Sequence, residues 1–148
     1  PIVFNTFQMY RADMYDKLAR AFDLATLNNF FLGVKMVRGA YMEIERKRAE
    51  ENNYPDPIYP TKELTDVSFN NGLTFCVENI QRIALVCGSH NEYSNLFLTV
   101  LMEKNGIAKN DARIWFAQLL GMSDTISFNL AHAGYHVASM FPMAPWKL

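Results

Sequence analysis

Val34-Lys35-Met36-Val37-Arg38-Gly39-Ala40-Tyr41 closes an apolar run that begins at Phe30, and it finishes in two bases, a glycine, a small residue and a phenol. A run that is apolar at successive positions is the pattern of a parallel strand covered on both faces. A polar finish belongs at the carboxyl end of such a strand, where loops hold charge outside the core and ligands sit. Lys35 and Arg38 are three positions apart, so in an extended chain they point to opposite faces. One is expected to face a substrate or cofactor and the other to serve the structure. A lysine that interrupts an apolar run needs an anion, the polar edge of a cofactor, or solvent reached by snorkelling. Gly39 and Ala40 allow a bulky group to approach the backbone, where Tyr41 can stack on it; the alternative is a rim turn with a packed tyrosine.

Outward from this stretch the chain alternates strands and helices. Ile2 to Phe7 reads as a strand, and Met14, Leu18, Ala21, Phe22 and Ala25 carry a helical period that Asn28-Asn29 can end. Glu43 to Glu51 is a charged, solvated helix with Glu43 and Lys47 one turn apart. Tyr54-Pro55-Asp56-Pro57-Ile58-Tyr59-Pro60 is a rim loop, because its prolines remove donors and fix φ. A helix starts near Thr61, and Gly72 within Asn70-Asn71-Gly72 is expected to weaken its middle by roughly 1 kcal/mol. Ile83 to Gly88 is the third strand, and Tyr93, Leu96, Phe97, Val100 and Leu101 mark a helix closed by Gly106. Arg113 to Ala117 is the fourth strand, Asp124 can cap the helix carrying Ile126, Leu130 and Ala133, and Tyr135 to Phe141 is the fifth. This order predicts parallel strands with right-handed crossovers. A (β/α) barrel and an open doubly wound sheet both satisfy it. No strand-to-helix turn carries GxGxxG or GxxxxGK, which disfavours dinucleotide-binding and P-loop versions of the open sheet.

Composition narrows the chemistry. The 148 residues are 50% hydrophobic and 14% aromatic, with 14 Lys+Arg against 15 Asp+Glu. Such a chain can bury one core, and a net charge of −1 provides neither a basic field for nucleic acid nor a polybasic membrane patch. Cys76 and Cys87 lack metal or disulfide spacing and read as buried thiols in a reducing compartment. No signal peptide and no apolar run long enough for a bilayer is visible. The start at Pro1, already inside a strand-like run, and the abrupt stop at Met143-Ala144-Pro145-Trp146-Lys147-Leu148 suggest a single-domain fragment, 1–148, of a longer protein.

Of the three histidines, His90 has the best functional claim. It follows Gly88-Ser89 at a strand end and precedes a helix start, so His90, Asn91 and the helix amides suit an anion or a polar ring edge. His132 and His136 flank Gly134 and read as surface or helix-end residues. Lys62, Thr65 and Asp66 form a smaller polar group that a capped helix start explains as well as binding does. No His, Cys or carboxylate set recurs at metal-ligand spacing, so no metal is expected.

The runs VKMVRGAYMEIERKRAEENNYPDPIYPTKELTD (34–66), CGSHNE (87–92), FAQLLGMSD (116–124) and AGYHV (133–137) resemble the proline dehydrogenase family, in order and in register. The likeness is greater to the monofunctional bacterial and mitochondrial type than to the bifunctional bacterial enzymes. The resemblance implies a partial (β/α)8 TIM-type barrel, roughly its last five strands, truncated at both ends, with FAD at the strand carboxyl ends. It implies oxidation of L-proline to 1-pyrroline-5-carboxylate by hydride transfer to the flavin N5, with electrons passed to a quinone. By position, Lys35 falls near the flavin N5, where bifunctional relatives carry arginine, and Val37, Arg38, Gly39 and Ala40 line the flavin. Tyr41 packs on the bound proline. Ser89-His90-Asn91 matches a cofactor-contacting (S/T)HN element, Thr61 and Lys62 a junction near the adenine or phosphate end, and Gln118 and Leu119 a strand bordering the isoalloxazine. Thr6 and Gln8 match a strand whose polar residues reach the flavin. Ser127 falls where bifunctional enzymes carry a substrate-shielding tyrosine, and the smaller serine would leave room for a ring hydroxyl, as in hydroxyproline.

Departures concentrate at the ends. The family's paired arginines for the proline carboxylate and its early strands lie outside this sequence. Where relatives read roughly YVPYGP, residues 140–145 read Met-Phe-Pro-Met-Ala-Pro. The fragment alone is therefore expected to be inactive and prone to association. Two other readings stay open: a non-catalytic α/β module that keeps the motifs as packing, and an unrelated barrel enzyme using Lys35 as a Schiff-base or anion-binding lysine. The implied location is cytoplasmic, with peripheral contact at the inner membrane, or mitochondrial in a eukaryote.

Overall fold

A computed structural model describes residues 3–141. Five strands, β1 (Phe4–Gln8), β2 (Leu32–Val37), β3 (Ile83–Gly88), β4 (Ile114–Leu119) and β5 (Val137–Met140), form one sheet. All four pairings are parallel and the spatial order is the sequence order. Helices α1 (Met14–Leu27), α2 (Met42–Glu51), α3 (Lys62–Glu78), α4 (Glu92–Lys104) and α5 (Asp124–His132) make the crossovers, with α2 and α3 both between β2 and β3. The sheet is not closed: β1 pairs only with β2 and β5 only with β4 among the described residues. It is an open arc of a (β/α) barrel. Ile2 and residues 142–148, which the sequence reading included, lie outside the described residues.

The register sorts the side chains into two faces. Phe7, Met36, Cys87, Phe116 and Val137 lie in one row across the sheet, and the first four are buried against the helices. Leu18 and Ala25 of α1, Phe69, Leu73 and Cys76 of α3, and Leu98 and Met102 of α4 complete that core. Full burial of one such side chain stabilises by about 1.5–3 kcal/mol. Thr6, Lys35, Val86 and Trp115 form the neighbouring row; period-two alternation turns this row to the concave side of the arc.

Several boundaries differ from expectation. β2 begins at Leu32, leaving Phe30 and Phe31 exposed before it. β4 runs to Leu119, which fixes the facing of Gln118. Asp124 is the first residue of α5 and Ser123 its cap position; the Asp124 carboxylate instead accepts the Gly121 amide at 3.0 Å. The expected Glu43–Lys47 pair gives way to Lys47–Glu51 at 3.7 Å. Gly72 does not interrupt α3: a Cβ there would stand 2.8 Å from the Met36 Cε, so glycine lets the helix close onto β2. As expected, α1 ends at Asn28-Asn29: Asn28 is its C-cap, and Asn29 takes φ 56.

Candidate active site

The carboxyl ends of β1, β2 and β3 open onto a cleft of about 730 Å³. Its walls include Thr6, Gln8, Lys35, Val37, His90 and Leu119, with Met140 and Phe141 across the mouth. Every charged residue in its lining, Lys35, Arg38 and Lys62, is a cation. A second hollow of about 380 Å³ adds Tyr10, Arg46, Tyr59 and Thr61. The two share Arg38, Gly39, Ala40 and Lys62, so they form one elongated groove.

The β2 finish shapes that groove. Gly39 takes φ +128, and a Cβ on it would lie 2.6 Å from the Tyr10 ring. Tyr10 is buried, so the ring lies flat against the turn and only glycine fits between them. Burial raises the Tyr10 phenol above its ordinary value, with Glu45 adding to the rise. Tyr41, 63% exposed, stands at the start of α2 on the groove's edge. Lys35 is half-buried, and no hydrogen bond or ion pair engages its ammonium among the described residues.

The opposite-face expectation for Lys35 and Arg38 holds. Lys35 faces the cleft, while Arg38 borders it but turns its guanidinium toward α3 and α4. Its Nε donates to Asp66 Oδ1 at 2.7 Å, Nη1 to Ser89 Oγ at 2.9 Å and Nη2 to Ser94 Oγ at 2.8 Å. The guanidinium lies 4.3 Å from the Phe69 ring centroid. Asp66 gives its other oxygen to Lys62 Nζ at 2.6 Å. Burial pushes the Asp66 carboxyl up, but Lys62 and Arg38 together outweigh it and hold the group below its usual range.

The loop after β3 is tied down by side chains. Ser89 Oγ accepts the Asn91 amide at 3.1 Å, and Asn91 Oδ1 caps α4 by accepting the Ser94 amide at 2.9 Å. The Asn91 side-chain oxygen is thus spent on the helix, although the residue borders the cleft. His90 is exposed between them, its Nδ1 2.9 Å from Ser123 Oγ. The Leu119 amide points at Nε2 over a long 3.5 Å.

Two expected site residues are not brought to the cleft. Gln118 shares the facing of Phe116 and Ile114, is 1% exposed, and donates to the Ser89 carbonyl at 3.2 Å. Ser127 of α5 donates to Gln118 Oε1 at 2.9 Å, behind the sheet. Their neighbour Leu119 does line the cleft, as do Gln8, Lys35, Val37, Gly39, Ala40, Lys62 and His90; Thr61 lines the smaller hollow. Sequence reasoning missed Tyr10, Arg46, Ser94, Met140 and Phe141 as parts of this site. The Arg38 acceptors carried a signal: Asp66 and Ser94 fall on the helix faces turned to the sheet.

Cys76 and Cys87 are buried free thiols as expected. Burial pushes the Cys87 thiol up to about 12 against the nearby Arg38 charge, and pushes the Cys76 thiol higher still, with Cys87 adding to the rise. No His, Cys or carboxylate group among the described residues could hold a metal ion. No described helix is long and apolar enough to cross a membrane.

An arc of parallel strands with an elongated, cation-lined groove at their carboxyl ends defines the class: a (β/α)-barrel protein with its site on the customary face. The sequence matches the family described as proline dehydrogenase over residues 1–147, and the chain belongs to that family. It is 41% identical to human mitochondrial proline dehydrogenase 1 over 98% of its length, and 39% identical to Xenopus laevis hydroxyproline dehydrogenase over 96%. It spans 25% and 31% of those proteins. Among solved structures, proline utilization A from Bdellovibrio bacteriovorus, inactivated by N-propargylglycine, superposes with a TM-score of 0.89 at 25% identity. That superposition covers 97% of this chain and 15% of the other. The fold is therefore that of a TIM-type barrel.

Proposed function

We propose that this chain is the cofactor-facing part of a longer enzyme that oxidises L-proline to 1-pyrroline-5-carboxylate with FAD. The family match runs through the very residues that line an all-cationic groove, and that coincidence carries the reading. A flat, oxygen-rich cofactor with a pyrophosphate fits the donor set: three cations, the Gln8 amide, the His90 ring and an apolar wall of Val37, Leu119 and Met140. Bound there, a flavin would supply a hydride acceptor for the proline ring carbon beside nitrogen.

The chain's own residues bind and orient. Lys35, without a partner among the described residues, offers its ammonium to the cofactor's polar ring edge. Arg38, Gly39 and Ala40 present a close-packed backbone wall, and Thr61 and Lys62 serve the phosphate end. Tyr41 covers the substrate from the groove's edge and keeps water from the reacting face. Gln118 and Ser127 contribute from behind, by holding the Ser89 carbonyl. The Xenopus relative's name favours hydroxyproline as a further substrate. A quinone as final acceptor, peripheral contact with the inner membrane, a mitochondrial location in a eukaryote, and inactivity of this chain by itself complete the proposal.

The test is the full-length protein purified with FAD. L-proline is expected to bleach the bound flavin's visible band and to drive dye reduction, and Lys35→Met or Tyr41→Ala to abolish most of that turnover. A folded full-length protein that binds no flavin would overturn the assignment and favour the non-catalytic module.

A further inference from the structure

Arg38 borders both hollows, yet three of its donors are spent behind them. A planar guanidinium can serve three acceptors at fixed angles, which a lysine ammonium on a flexible stem cannot. Here Nε, Nη1 and Nη2 each meet a different residue, Asp66, Ser89 and Ser94, at 2.7, 2.9 and 2.8 Å. The Phe69 ring sets the plane of the fork from 4.3 Å. The acceptors are themselves oriented. Ser94 Oγ donates onward to Asn70 Oδ1 at 2.8 Å, and Ser89 Oγ also takes the Asn91 amide. Ser89 and Asn91 bracket His90, and Asp66 holds Lys62.

We infer that Arg38 is a positioning residue: from behind the groove it fixes the His90 turn through Ser89, with Ser94 Oγ anchoring the same end of its fork, and the Lys62 ammonium through Asp66. Both controlled groups line the larger cleft, so a single side chain sets the spacing between two of its polar walls. Losing the fork frees both at once. Ser94 and Asp66 do not line the cleft; losing the Ser94 hydroxyl loosens the fork on the side of the His90 turn, and losing Asp66 frees Lys62. For its affinity readout the inference rests on the FAD reading above.

The experiment uses the full-length protein with Arg38→Met, Arg38→Lys, Asp66→Asn and Ser94→Ala. Folding is checked by circular dichroism. The first readout is the His90 imidazole resonance of the flavin-free protein, labelled at histidine; the second is the dissociation constant for FAD. Expected are a displaced His90 resonance in both Arg38 variants and in Ser94→Ala, and an unmoved one in Asp66→Asn. FAD binding should weaken about tenfold in both Arg38 variants and about threefold in Ser94→Ala and Asp66→Asn. Wild-type values of both readouts in Ser94→Ala and Asp66→Asn would overturn the inference, because any loss in Arg38→Met would then be direct contact with the cofactor. If Arg38→Met does not fold, those two variants decide alone. If the wild type binds no FAD, the resonance still decides the inference while the functional reading falls separately.

Discussion

Gly39 and Tyr10 hold one turn of the groove between them, and each constrains the other. Gly39→Ala must accept φ +128 and a Cβ 2.6 Å from a buried ring. We expect a loss of about 1–3 kcal/mol, measured by urea unfolding, with Tyr10→Ala recovering none of the backbone strain. Asp111 gives a pH signature. The Arg113 guanidinium beside it holds its carboxyl down at about 2, below the unfolded value of about 4. A depressed carboxyl adds stability above its unfolded pKa that is lost as pH falls through its folded one. Acid melts should therefore lose stability between about pH 4 and about pH 2, and Asp111→Asn should flatten that window. At this scale the sequence was partly legible. Lys35 announced itself as a lone charge in an apolar run, and its facing opposite Arg38 followed from spacing. The placement of Gln118 did not, because β4 was expected to end at Ala117; extended to Leu119, the alternation from Ile114 puts Gln118 behind the sheet. Ser127 was placed by family position, which carries no information about what its hydroxyl bonds.

Elements differ in how they are held. α3 buries seven residues, Thr65, Ser68, Phe69, Gly72, Leu73, Cys76 and Val77, whereas α2 buries only Ala49. α2 is tethered by Arg11–Glu45 at 3.2 Å, and by Arg46, which reaches Asp56 at 3.0 Å and the Tyr59 carbonyl at 3.2 Å. Partly exposed ion pairs are weak and screened by salt. Amide exchange in α2 should therefore be faster than in α3, and about 0.5 M salt should accelerate α2 alone. Equal protection in the two helices would contradict this. In α3, Gly72→Val should cost about 1–3 kcal/mol by crowding Met36 and Met9, read as a lowered melting midpoint. All ten elements were legible, eight as apolar runs or periods, α2 by its charge and α3 by its start after the proline loop. Their boundaries were less so, since Phe30 and Phe31 look like strand yet precede β2, and the close approach at Gly72 depends on a partner far along the chain.

At the scale of the molecule, the open arc leaves two strand edges unpaired among the described residues. Backbone donors and acceptors on such edges recruit other chains. Expressed by itself, the polypeptide is expected to elute as an associated species in size exclusion with light scattering; a stable monomer at tens of micromolar would refute that. The choice between an open sheet and a barrel was undecided by periodicity, because both share the same alternation. Strand order settles it: an open doubly wound sheet reverses its order at a switch point, and this one does not.

That unreversed order has a further consequence for synthesis. Among the described residues, β2 to β5 each pair with the strand made just before, so none of these four waits for a partner translated much later. As the polypeptide leaves the ribosome, each of them meets a ready edge, and its preceding helix can dock at once. A mutation that delays one unit, such as crowding at Gly72, would then stall every unit emerging after it, and its damage in the cell would exceed what a refolding experiment on the finished chain records.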